Sequence, residues 1–133
     1  VQALDITFPS SLGPIVRGIR DYLTGTAWTG VTTQPKLPAT KTARMVTVRD
    51  DGGTPANGLS RRRHGFNIWA NDPVTAENLA IAVADCCRAS FAALEVTDPI
   101  DVTDDTDTRT LVAGQPLTHY FISAVLLIRA SNL

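Results

Sequence analysis

Residues 118–130, Thr-His-Tyr-Phe-Ile-Ser-Ala-Val-Leu-Leu-Ile-Arg-Ala, decide how the chain folds. Tyr120, Ile122, Ala124, Leu126 and Ile128 alternate onto one face of an extended strand, and Phe121, Val125 and Leu127 onto the other. A strand that is apolar on both sides is central in a sheet, or has its second face covered by a partner. Upstream, residues 95–107 hold six acids, Glu95, Asp98, Asp101, Asp104, Asp105 and Asp107. Ile100 and Val102 alternate with them as a half-exposed strand before an Asp104-Asp105 turn. A helix is expected over about residues 73–94. Asp72 caps it, Pro73 fits its first turn, and Ala76, Leu79, Ala80, Val83, Cys87, Phe91 and Leu94 form its apolar stripe.

Further upstream, residues 64–70 alternate as a strand, with Phe66, Ile68 and Ala70 facing one way and Asn67 and Trp69 the other. Residues 50–63, DDGGTPANGLSRRR, read as a long, mobile polar loop. Residues 43–49 read as a strand, 28–33 as a short β-rich run closed by Pro35 and Pro38, and 10–24 as an amphipathic helix. That first helix is expected to be capped by Ser10 or Ser11 and ended by Gly25 in the left-handed conformation. The expected architecture is one α+β domain over residues 1–133, in the order α-β-β-β-α-β-β. About five strands form a mixed, mostly antiparallel sheet, with two helices packed on one face.

The chain has 133 residues, 44% apolar and 19% charged, an ordinary globular composition for one domain. No apolar run approaches the ~20 residues of a membrane span, and VQALDITFPSS lacks a basic start followed by an apolar stretch, so neither membrane nor secretory signal is expected. The net charge of −1 argues against nucleic-acid binding through bulk charge. It conceals an asymmetry, however: the chain carries +5 through Arg63 and −6 from His64 onward. Unlike faces on one domain can meet head to tail between copies, and such contacts close into rings when the rotation allows.

No reactive constellation stands out. Cys86 and Cys87 are adjacent, so on a helix they point ~100° apart and suit neither a disulfide framework nor a shared metal with His64 and His119. They read as buried small apolar residues, and a reducing compartment fits them. Ser60, His64 and Asp51 can be drawn as a catalytic set, but no nucleophile-elbow motif supports it. The Asp104–Asp107 run lacks the glycine and terminal glutamate of an EF-hand loop. The Arg61–Arg63 run has no interleaved aromatics for base stacking, and Gly52-Gly53 opens no phosphate-binding helix. The expectation is no catalytic residue, no metal and no cofactor.

One pattern extends across the chain. Arg44-Met-Val-Thr-Val-Arg-Asp-Asp-Gly-Gly53, a basic loop, Phe66-Asn-Ile-Trp-Ala70, an Ala-rich helix opening Thr75-Ala-Glu-Asn-Leu-Ala80, and the final Leu126-Leu-Ile-Arg129 follow one another in that order. Over about residues 10–130 the series resembles the tail terminator (tail completion) proteins of long, non-contractile-tailed bacteriophages, the lambda minor tail protein U type, and most of all versions from phages of actinobacteria. The resemblance implies a structural virion protein, assembled in the bacterial host cytoplasm and located at the head-proximal end of the tail. It implies a homohexameric ring that caps the finished tail tube, stops tube polymerisation and presents a surface for head-tail joining. Its partners would be further copies of itself, the tail tube protein and a head-completion or connector protein, with genomic DNA passing through the lumen without specific binding.

On that reading Arg49, Asp50, Asp51, Arg61, Arg62 and Arg63 are candidates for the subunit or tail-tube interface. Asp101, Asp104, Asp105 and Asp107 are candidates for an acidic partner surface or lumen wall, where like charge would let DNA slide. The rival readings are a head-tail connector of the phage neck, a small cytosolic α/β binding domain or hydrolase, and a nucleic-acid-binding module.

Overall fold

The computed structural model describes residues 10–36, 38, 42–56, 59–103, 111–112 and 115–129. Helix α1 spans Leu12–Leu23, followed by strands β1 (Thr32–Gln34), β2 (Arg44–Ala56) and β3 (Leu59–Ala70) and by helix α2 (Pro73–Ser90). Short strands β4 (Glu95–Val96), β5 (Ile100–Asp101), β6 (Leu111–Val112) and β7 (Gln115–Pro116) precede the long β8 (Thr118–Arg129). The main sheet has six strands, running β1-β2-β3-β8-β4, with β5 also on β8; β6 and β7 pair separately. Among the described residues only the β1–β2 pairing is parallel. The chain is therefore α+β with a mixed, mostly antiparallel open sheet, in the order expected, and β8 is central.

Register explains the core. Val46, Ile68 and Tyr120 lie side by side across β2, β3 and β8, as do Val48, Phe66 and Ile122. Together with Ala124 and Leu126, the buried members of these rows meet Ile15, Val16, Ile19 and Leu23 of α1 and Leu79, Ala80, Val83, Ala84, Cys86 and Cys87 of α2 in one cluster. Both helices thus cover the same face of the sheet. The alanines and cysteines of α2 let its backbone lie close to the strands. Burial pushes the Cys87 thiol up to about 12, with the neighbouring Cys86 adding to the effect. None of the described helices is long and apolar enough to cross a membrane.

Several expectations at the boundaries change. Residues 50–63 are not a loop: β2 continues to Ala56 and β3 begins at Leu59, and the two strands pair antiparallel along this stretch as one long hairpin. The register shifts between Asp50 and Gly53, and this bulge absorbs the extra residues of the Asp-Asp-Gly-Gly stretch. Gly52 takes φ +93°, a left-handed value that glycine adopts without strain. A Cβ on Gly53 would land on the Arg61 carbonyl across the hairpin.

The helix ends also differ. Ser11 occupies the N-cap position of α1, but its hydroxyl makes no capping bond because it is committed to His64 instead. Gly25 is left-handed as expected, at φ +80°, just beyond the C-cap Thr24. Helix α2 stops at Ser90, and Ala92 at φ +48° turns the chain so that the Leu94 amide bonds the Val125 carbonyl. Leu94 therefore leaves the apolar stripe and is exposed. At the other end of α2 the expected cap is present: the Asp72 carboxylate accepts from the Thr75 amide at 2.8 Å and from the Thr75 hydroxyl at 2.6 Å. The Thr75 bonds hold the Asp72 carboxyl below its usual range.

The two faces of the sheet should respond differently to truncation. Phe66→Ala, in the middle of the helix-covered face, is expected to lower unfolding stability by about 3–5 kcal/mol. Leu127→Ala, on the other face, should change it by about 0.5 kcal/mol or less. Urea denaturation of both variants checks the contrast.

Candidate functional site: the open face of the sheet

Strand alternation sends the odd-numbered residues of β3 and β8 away from the helices. Across the hairpin end of this second face lie Leu59, then Arg61 beside Leu127, then Arg63, Val125 and Glu95 side by side. Next come Arg49, Gly65 and Ser123, then Thr47, Asn67, Phe121 and Ile100, and finally Met45, Trp69 and His119. Met45, Trp69 and Leu117 form a small buried cluster at that last end. Trp69 and His119 stack at 4.4 Å between ring centroids, and His119 Nε2 meets Asn67 Oδ1 at 2.8 Å. Among the described residues no helix lies over this face.

The charged groups are held in defined places. Arg49 Nε donates to Asp51 at 2.7 Å, and its guanidinium lies 5.2 Å from the centroid of the Phe121 ring. Gly65 makes room for this arrangement: a Cβ there would come within 2.8 Å of the Asp51 carboxylate, 2.9 Å of Arg49 and 3.0 Å of Phe121. Arg63 donates to the Ser123 hydroxyl at 2.6 Å and approaches Glu95 at 3.7 Å. Arg61 is exposed and has no ion-pair partner among the described residues. Between the bulge and β4 lies a shallow depression of about 430 Å³, lined by Gly52, Gly53, Arg61, Arg63, Glu95 and Val125 among others.

The six residues nominated for an interface are therefore divided between two faces. Arg49, Asp51, Arg61 and Arg63 share the open face. Asp50 and Arg62 project to the helix side, where Arg62 grips Asp50 with Nε at 3.1 Å and a second nitrogen at 2.8 Å. Burial disfavours the Asp50 charge, but the Arg62 hydrogen bonds and the Gly52 amide outweigh it and leave the carboxyl below its ordinary value. Asp101 sits on the edge strand β5, its carboxylate accepting from the Thr103 amide at 2.9 Å, and the Thr103 bonds lower its carboxyl. Asp104, Asp105 and Asp107 lie outside the described residues.

The structure also separates the residues from which a catalytic set was drawn. His64 and Ser60 lie on the helix side and Asp51 on the open side. His64 is fully buried, and its Nε2 pairs with Ser11 Oγ at 2.8 Å. Its Nδ1 and the Ser60 hydroxyl are buried without hydrogen-bond partners among the described residues. Burial holds the His64 imidazole below its ordinary value, against the opposing pull of Asp50. No group of three or more candidate metal ligands occurs among the described residues. The Ser11–His64 contact escaped sequence reading because 53 residues separate its partners. The Arg49–Phe121 contact is legible only once the strands are in register.

No protein-family model matches this chain, and no curated protein matches it in sequence.

His64 gives this region a pH signature. Its proton affinity is lower folded than unfolded, so between the folded value and about 6.5 the unfolded chain binds more protons. Stability is expected to be fully present above that window and to fall as pH drops through it, with a slope of up to about 1.4 kcal/mol per pH unit. His64→Leu should remove this component of the slope. Urea midpoints of both proteins between pH 7.5 and 5 make the comparison.

Proposed function

We propose that the protein is a ring-forming structural component of a phage tail, which caps the completed tail tube, stops its growth and offers a surface for head joining. The observation that carries this reading is the open sheet face. Leu59, Leu127 and Ile100 are exposed there, among the arginines of β2 and β3. A sheet face of this composition, with exposed apolar residues interspersed among charged ones, suits protein contact.

Three further features support the reading. The order of elements is the one implied by the resemblance of residues 10–130 to tail terminators. The Arg44–Gly53 and Phe66–Ala70 stretches that carry much of that resemblance are adjacent strands in register, not scattered matches. The most buried polar groups, His64 and Ser60, face the helices and have no route to a common substrate with Asp51 on the opposite side. The role needs surfaces and geometry and no chemical step.

Arg61 and Arg63 would contribute through charge, which salt screens at surface sites. The double variant Arg61→Ala/Arg63→Ala is expected to cap tail tubes several-fold less often than wild type at about 0.15 M salt, with the gap narrowing toward about 1 M. Negative-stain images of tubes mixed with each protein provide the count. Equal capping by both proteins at low salt would overturn the assignment of these arginines, and no ring on any tube would overturn the function.

A further inference from the structure

Helix α2 has an outer stripe that matches the open sheet face. Val74, Glu77, Ile81, Asp85 and Arg88 follow one another at three- and four-residue spacing, with Asn78 beside Glu77, and all are exposed. Val74 and Ile81, at 69% and 42% exposure, supply its apolar contacts, two turns apart and on either side of Glu77. Asp85 is occupied by Arg88 at 3.3 Å, whereas Glu77 has no ion-pair partner among the described residues. On the open sheet face the balance is reversed: Arg49 is held by Asp51 and Arg63 approaches Glu95, whereas Arg61 has no ion-pair partner among the described residues. Leu59 and Leu127, at 39% and 47% exposure, flank it.

We propose that the open sheet face of one copy seats the outer stripe of helix α2 of the next copy, with Arg61 opposite Glu77 and Val74 and Ile81 against Leu127 and Leu59. The two surfaces lie on opposite sides of one protomer, because α2 covers the other face of the sheet. The contact is therefore heterologous: each copy has one of each surface, and successive copies add head to tail. It combines apolar contacts with opposite charges, which fix the register and disfavour sheet-to-sheet pairing of like faces. Helix α2, at ~27 Å, is short enough to lie along β3, which runs ~40 Å. This inference rests on the ring reading and specifies its subunit contact.

The test uses charge reversal. Arg61→Glu and Glu77→Arg are each expected to weaken self-association at least tenfold, measured by analytical ultracentrifugation at low salt. An equimolar mixture of the two should recover higher assemblies, because the Arg61→Glu copy offers an unchanged α2 stripe to the unchanged sheet face of the Glu77→Arg copy, and the two altered surfaces are again opposite in charge. The double variant Arg61→Glu/Glu77→Arg should recover higher assemblies. Both positions are exposed, and circular dichroism melts check folding; Arg61→Gln and Glu77→Gln serve as milder replacements if a reversal perturbs it. Wild-type protein that stays monomeric, a Glu77→Arg variant that associates like wild type, or single variants that do not pair on mixing would each overturn the proposal. Rings on tube ends formed equally well by Glu77→Arg would overturn this contact and leave the capping function standing, whereas wild-type protein that caps no tube would remove the function itself.

Discussion

The structure depends on the register of three strands. Val48, Phe66 and Ile122 lie abreast, and from that row every other residue of β2, β3 and β8 is assigned to one side. A slip of one residue would turn Phe66 and Ile122 to the open side and bring Arg63 and Phe121 beneath the helices. Burying arginine without a partner costs far more than any strand pairing returns, so the register is strongly specified. Both properties of the protein, a helix-covered core and a polar-apolar second face, follow from this one alignment.

Much of the fold was legible because its signals are periodic. The apolar spacing of Ile15, Val16, Ile19 and Leu23 and of Ala76, Leu79, Ala80 and Val83 revealed both helices, and the two-sided β8 revealed its central place. The hairpin end was hidden by composition. Gly52, Gly53, Pro55 and three successive arginines look like breakers, and their alternation emerges only with β8 alongside to pair with. The Asn57-Gly58 dipeptide, favoured in two-residue hairpins, was the available clue. Seeing it would also have separated Asp50 from Asp51 and Arg62 from its neighbours, since adjacent strand residues face opposite ways. The Ser11–His64 pair belongs to a different class, because local patterns carry no information about contacts between distant segments.

Most of the ion pairs made by the basic half of the chain are made within it. Arg62 is neutralised by Asp50 and Arg49 by Asp51, both from the basic half of the chain, and among the described residues only Arg63 with Glu95 links the two halves. Strand alternation makes these short-range pairs possible, since it presents two consecutive aspartates to opposite sides of one hairpin. Pairs formed within one half leave its net charge unchanged, so nearly all of the imbalance read from the sequence remains for partners. Exposed pairs of this kind contribute little to folding, and their value lies in orientation and partner choice.

The paired thiols of α2 offer a way to watch the molecule open. Alkylating reagents attack the thiolate, and with Cys87 raised to about 12 the folded protein holds only about one thiolate in ten thousand at pH 8. Both sulfurs also lie between helix and sheet, out of reach of any reagent. Modification must therefore wait until α2 lifts away from the strands. The labelling rate of native cysteines becomes a clock for that excursion, and any neighbour that clamps the helix from outside will slow it.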